Sequence, residues 1–212
     1  MNFTKKIENI KYSLNINKRE KIIIPDLINL NCNNTKIKDE NIKYINPEIL
    51  NINNCPYITN EGIKHMNNLK ELYCSNTNIT NKGLINKKLK SLEINNNKWI
   101  NDSGIKHMIN LKYLYINYTN ISDNSLVRFN LEKLHISGCK NIIGHSIEHM
   151  NNLKELCMDY SNVDIKNIKS KKINLLICDH YQLCKFNFDN VFEFIKPKEL
   201  FVIMPDGDVQ HY

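Results

Sequence analysis

The side chains able to do chemistry in this chain fall into small groups. Cys178, Asp179 and His180, followed by Cys184, offer metal-ligand types, but not at a recognised zinc spacing, and Cys178 also fits a recurring apolar frame. His135 and Cys157 have the types of a base and a nucleophile, yet nothing in the sequence orients the imidazole toward the thiol. There is no phosphate-cradling glycine loop, no G-x-S-x-G elbow and no H-E-x-x-H. Six glycines leave little material for tight functional turns. The chain is therefore expected to be non-enzymatic, with no catalytic residue, no cofactor and no bound metal. What remains is a set of tyrosines, acids and one histidine suited to contact with a partner.

A repeat must position them. An apolar residue returns every 21 residues, at Ile37, Ile58, Ile79, Ile100, Ile121, Ile142 and Val163. A second register holds Ile42, Ile63, Leu84, Ile105, Leu126, Ile147 and Ile168. A fixed period near 20 residues marks a solenoid, whose single units are too small to bury their own apolar faces. Before each unit's first isoleucine stands Leu-x-apolar, as in Leu50/Ile52, Leu72/Cys74, Leu92/Ile94, Leu114/Ile116 and Leu134/Ile136. That is the period of a half-buried strand. The leucines step by 20 and 22 residues in alternation, so two kinds of unit alternate.

Ile63 and Met66 lie three apart, as one face of a short helix requires. Thr59, Asn81, Asp102, Ser122 and Asp164 are expected as helix N-caps. His65, His107 and His149 recur every 42 residues. Consecutive members would stand about 10 Å apart, too far to share an ion, so they read as fixed structural positions.

The units read LNINNCPYITNEGIKHMNNLKEL from Leu50 and LYCSNTNITNKGLINKKLKSL from Leu72. They resemble leucine-rich repeats of the cysteine-containing subclass, with L-x-x-L-x-L-x-x-C/N-x-x-I-T. The resemblance implies an α/β fold: a right-handed β/α superhelix with parallel strands on the concave face and short helices on the convex face. It also implies a hydrogen-bonding ladder at Asn34, Cys55, Asn76, Asn97, Tyr118, Cys139 and Tyr160, which Tyr118, Tyr160 and Tyr181 would disturb by splaying the C-terminal turns. Residues 1–26 are expected as an N-terminal cap or degenerate repeat, with Ile22, Ile23 and Ile24 as apolar content. The array is expected over 27–204 in about eight to nine units, with Phe186, Phe188, Phe192 and Phe194 covering its open end, and a tail over 205–212. Such arrays are similar to the substrate-recognition repeats of F-box ubiquitin-ligase receptors, although 26 residues before Leu27 are too few for an F-box. The Asn-rich, alanine-free style is similar to repeat proteins of large AT-rich DNA viruses or protists, which would imply engagement of host proteins.

If each strand's leucine faces the core, its flanking residues face the concave surface. Those suited to a partner are Glu71, Tyr73, Glu93, Tyr113, Tyr115, His135, Glu155 and Asp159. Tyr carries a large apolar body with a polar tip and is favoured at interfaces. Eight strands span roughly 35 Å, room for about 800 Å² of interface per partner.

The net charge of +7 is not on that face, where Glu71, Glu93, Glu155 and Asp159 stand against Lys133. Residues 1–21 hold six basic against two acidic side chains, +4 in all. An acidic partner or nucleic acid at the N-terminus is thus the rival reading, but phosphate binding within the curve is disfavoured. A protein partner is expected, as is a ubiquitin-ligase adaptor without its own F-box in an alternative reading. No run of 18 apolar residues and no secretory leader is present, so no membrane is expected and the cytoplasm, or a host's cytoplasm, is the expected location.

Overall fold

The computed structural model describes residues 2–4, 13–15, 27–168, 173–186, 195 and 197–212. Strands β1 (Asn2–Thr4) and β2 (Ser13–Asn15) pair antiparallel as a separate two-stranded sheet. The isoleucines 22–24, the N-terminal basic residues outside those strands, and Phe188, Phe192 and Phe194 lie outside the described residues.

The array itself is one ten-stranded sheet. Its strands are β3 (Asn29–Asn31), β4 (Ile49–Asn51), β5 (Glu71–Tyr73), β6 (Ser91–Glu93), β7 (Tyr113–Tyr115), β8 (Lys133–His135), β9 (Glu155–Cys157), β10 (Leu175–Asp179), β11 (Glu199–Ile203) and β12 (Val209–His211). Neighbours in sequence are neighbours in space, and β3 through β11 all run parallel. Leu30, Leu50, Leu72, Leu92, Leu114, Leu134, Leu156, Leu176 and Leu200 align in one row and are all buried. Residues 205–212, expected as a tail, turn at Gly207 and lay Val209–His211 antiparallel on β11.

Between strands run one-turn helices: α1 (Asp39–Ile42), α2 (Asn60–Ile63), α3 (Asn81–Leu84), α4 (Asp102–Ile105) and α5 (Asp123–Leu126). Later coils use 3₁₀ turns at Ile147–His149 and Ile165–Asn167, and β10 runs directly into α6 (His180–Phe186). Four-residue helices have no stability of their own. They persist because Ile42, Ile63, Leu84, Ile105 and Leu126 are buried in a core shared with the strand leucines, each such side chain contributing about 1.5–3 kcal/mol.

The helices start every 21 residues, whereas the strands step by 20 and 22. The longer units insert one residue before the helix and one after it. This alternation corrects the expected ladder. Counted from the strand leucines of β3 through β9, the fourth residue is left-handed: Asn34, Asn54, Asn76, Asn96, Tyr118, Gly138 and Tyr160 all have φ between +54° and +71°. Asn34, Asn76, Tyr118 and Tyr160 are therefore exposed turn residues outside the buried ladder, with Asn34, Asn54 and Asn76 bonded side chain to side chain along the surface. The fifth residue forms the buried ladder. Thr35, Thr77 and Thr119 donate their hydroxyls to the carbonyls of Cys32, Cys74 and Ile116. Cys55 and Cys139 direct their sulfurs at Cys32 and Ile116, and Asn97 donates to the carbonyl of Ile79 at 3.0 Å. Gln182 on α6 takes over this role, donating to the Met158 carbonyl at 2.9 Å. The tyrosines do not splay the turns: the Tyr118 ring lies over Gly138, where a Cβ would collide with it, while Tyr181 is a solvent-facing helix residue.

The expected N-caps divide in the same way. Thr59 and Ser122 cap their own helices, accepting from the backbone N–H of Glu61 and Asn124, and Asp164 accepts from the N–H of Lys166. For α3 and α4 the caps are Thr80 and Asn101. Asn81 and Asp102 instead reach the next coil, accepting the N–H groups of Asn101 and Ser122. Asp39 and Asn60 do the same for Thr59 and Thr80. A second ladder thus runs along the helix starts. In α2, α3 and α4 the third helical residue is Gly62, Gly83 or Gly104, and a Cβ there would meet the ladder oxygen of the preceding coil, whereas α5 carries Ser125 at this position.

Candidate functional site

The strand face opposite the helices carries three aligned rows. The first row holds Glu71, Ser91, Tyr113, Lys133 and Glu155. The second holds Tyr73, Glu93, Tyr115, His135 and Cys157. Two residues beyond each member of the second lie Ser75, Asn95, Asn117, Ser137 and Asp159. Strand alternation sends the intervening leucines into the core and these side chains out, and each of the first two rows is half-buried except for Ser91 and Cys157, which are buried.

At the β5–β6 end the face is acidic and internally bonded. Tyr73 donates its phenol to Glu71 at 2.7 Å. Burial, with the hydrogen bond and charge of Glu71, pushes the Tyr73 phenol up to about 12. Glu93 gathers Asn53, two strands away, and Ser75, each at 2.9 Å. Asn53, Asn95 and Asn117 also accept the N–H groups of Ser75, Asn117 and Ser137 on the next coil. These amides hold the strand-end turns in place and keep the face rigid.

At the β8–β9 end the charges are paired. Glu155 accepts from Lys133 at 2.6 Å and from His135 at 2.7 Å. Burial alone would raise the Glu155 carboxyl, but the two hydrogen bonds and their charges outweigh it and the net direction is down. The hydrogen bond to Glu155 raises Lys133. Tyr115 presents an edge-to-face contact to His135 with ring centroids 4.7 Å apart, and burial raises its phenol. Burial, followed by the charges of Glu155 and Asp159, pushes the Cys157 thiol up to about 12.

Seven of the eight partner-binding candidates lie in the first two rows: Glu71, Tyr73, Glu93, Tyr113, Tyr115, His135 and Glu155. Asp159 sits at its margin, buried, and receives the Ser137 hydroxyl. Its sequence position gave the right side of the strand but not this local partner. Strand alternation also places Asn53 on this face, but its bond to Glu93 spans two strands and has no signal in strand spacing.

The other groups stay apart. Cys178 is buried in the core, while His180 and Cys184 form an exposed pair at 3.3 Å on α6. His107 contacts the Leu84 carbonyl at 3.1 Å, and Lys87 donates to those of Ile63 and Met66. These two side chains close helix ends of the preceding coil. No helix among the described residues is long and apolar enough to cross a membrane.

Residues 86–106 match a family model described as Leucine Rich repeat. That segment begins just past α3, takes in β6 and ends just past α4. No curated protein matches the chain. One unit carries the match, and units of the same strand–turn–helix plan stand in register along the parallel sheet, so the chain has the architecture of a leucine-rich repeat solenoid.

Proposed function

We propose that this protein is a non-enzymatic interaction module that binds a protein partner on the concave face between β5 and β9. Leucine-rich repeats are generally protein-interaction modules, and fold alone names no partner. The observation that supports the site is the aligned row Tyr73, Glu93, Tyr115 and His135, half-buried and braced by bonds within the face. Aromatic side chains already held in place lose little entropy on binding. Glu71, Glu93 and Glu155 against Lys133 favour a partner with basic or polar groups over nucleic acid. The test is capture from a lysate of the natural cellular context with the wild type and with Tyr113→Ala/Tyr115→Ala. The double variant is expected to stay folded and to lose the wild-type partner; unchanged capture would remove the concave face as the site. The same captured set tests a ubiquitin-ligase adaptor role, which requires ligase subunits among the proteins lost.

A further inference from the structure

We propose that His135, Glu155 and Cys157 form a binding site for a zinc-like divalent cation. Their ligand atoms, the imidazole nitrogen, a carboxylate oxygen and Sγ, all lie within 4.8 Å of one another. The sheet itself brings them together. His135 pairs with Cys157 across β8 and β9, and Glu155 stands two residues before Cys157 on the same side of its strand. None of the three belongs to a loop, so the site rests on rigid elements.

The donor set selects the ion. One nitrogen, one oxygen and one sulfur suit zinc, whereas calcium and magnesium demand oxygen. Zinc bonds of about 2.0–2.3 Å place tetrahedral ligand atoms roughly 3.3–3.7 Å apart. The His135 and Glu155 atoms, now at 2.7 Å, would separate by under about 1 Å, and atoms at the 4.8 Å limit would close by about 1.1–1.5 Å. Neighbours already orient the ligands. Lys133 holds Oε2 of Glu155, leaving Oε1 turned to His135, and the Tyr115 ring packs T-shaped against the imidazole. Such outer contacts are a regular part of metal sites.

Binding exchanges the Cys157 thiol proton, released to solvent, for a sulfur–metal bond, and the proton that His135 Nε2 donates to Glu155 leaves that nitrogen, the neutral ring carrying its proton on Nδ1 instead. With carboxylate and thiolate each carrying one negative charge, the cation is neutralised at the site. Cys157 is 5% exposed while His135 and Glu155 reach the surface. The remaining coordination position therefore opens on the concave face, to water or to a donor from another molecule. The proposal stands apart from the protein-binding reading, since either can fail alone.

The test uses the untagged full-length chain, dialysed against chelator, reloaded with zinc chloride and gel-filtered. Metal analysis is expected to give one equivalent per chain. Cys157→Ser and His135→Ala should weaken zinc binding beyond the about 10–100-fold typical of an outer-shell change. Cys184→Ser should leave it unchanged. Cobalt-loaded wild type should show a thiolate-to-cobalt charge-transfer band that is absent from Cys157→Ser. If Cys157→Ser fails to fold by circular dichroism, His135→Ala alone decides. Zinc-free wild type after reloading, or stoichiometry unchanged in His135→Ala, would overturn the site.

Discussion

Asp102 and Ser122 are joined twice across neighbouring coils: the carboxylate accepts the Ser122 backbone N–H at 2.8 Å and its hydroxyl at 2.5 Å. Removing the carboxylate strands a helix-cap N–H that has no other acceptor of this kind. Asp102→Ala is expected to cost about 1–3 kcal/mol, read as a lower urea midpoint. Asp102→Asn should cost less, because Asn60 and Asn81 serve the same role in the coils before it.

Gly83 tests the same ladder by crowding. A Cβ there would lie 2.5 Å from Oδ1 of Asn60 and 3.1 Å from Ile79. Gly83→Ala should destabilise by about 1–3 kcal/mol through overpacking. Pairing it with Asn60→Ala should give a smaller loss than the two single costs added, since the collision is then gone. A double-mutant cycle in urea measures the difference.

Asn97 is a ladder member bonded to three backbone groups. It donates to the Ile79 carbonyl and accepts the N–H groups of Trp99 and Ile100, at 1% exposure. Asn97→Ala leaves buried backbone groups unpaired and should cost about 2–4 kcal/mol, seen as a clear drop in thermal midpoint.

Tyr73 gives a prediction in pH. Its phenol titrates at about 12 in the fold against 10.0 ordinarily, through burial and Glu71. A raised folded value favours the neutral form, so its stabilisation is complete below pH 10 and is lost as pH climbs toward 12. Spectrophotometric titration should show a phenolate step near pH 12 that disappears in Tyr73→Phe. Stability of the wild type should fall more steeply than that of Tyr73→Phe over this window.

The fold was legible in the sequence because strand leucines and helix isoleucines must recur wherever a coil buries them. The ladder was misphased because a constant 21-residue spacing follows the helices, while Cys55, Asn97 and Thr77 follow the strands and their 20/22 alternation. Asn81 and Asp102 read as caps because cap and ladder residues have the same chemistry and sit side by side. Only the neighbouring coil decides which does which. On the face, alternation identified the outward side chains. The bonds joining Glu155 to Lys133 and His135, and Glu93 to Asn53, depend on lateral register and side-chain reach, which no local pattern encodes.

The central claim is that a protein partner occupies the concave face, and hydroxyl-radical footprinting of the chain alone and in its captured complex tests it most directly. Oxidation of Tyr73, Tyr113 and Tyr115 is expected to fall several-fold on binding, while the exposed Tyr57, Trp99 and Tyr118 keep their free-state rates. Protection of Tyr57, Trp99 or Tyr118 with the three face tyrosines unchanged would contradict the account.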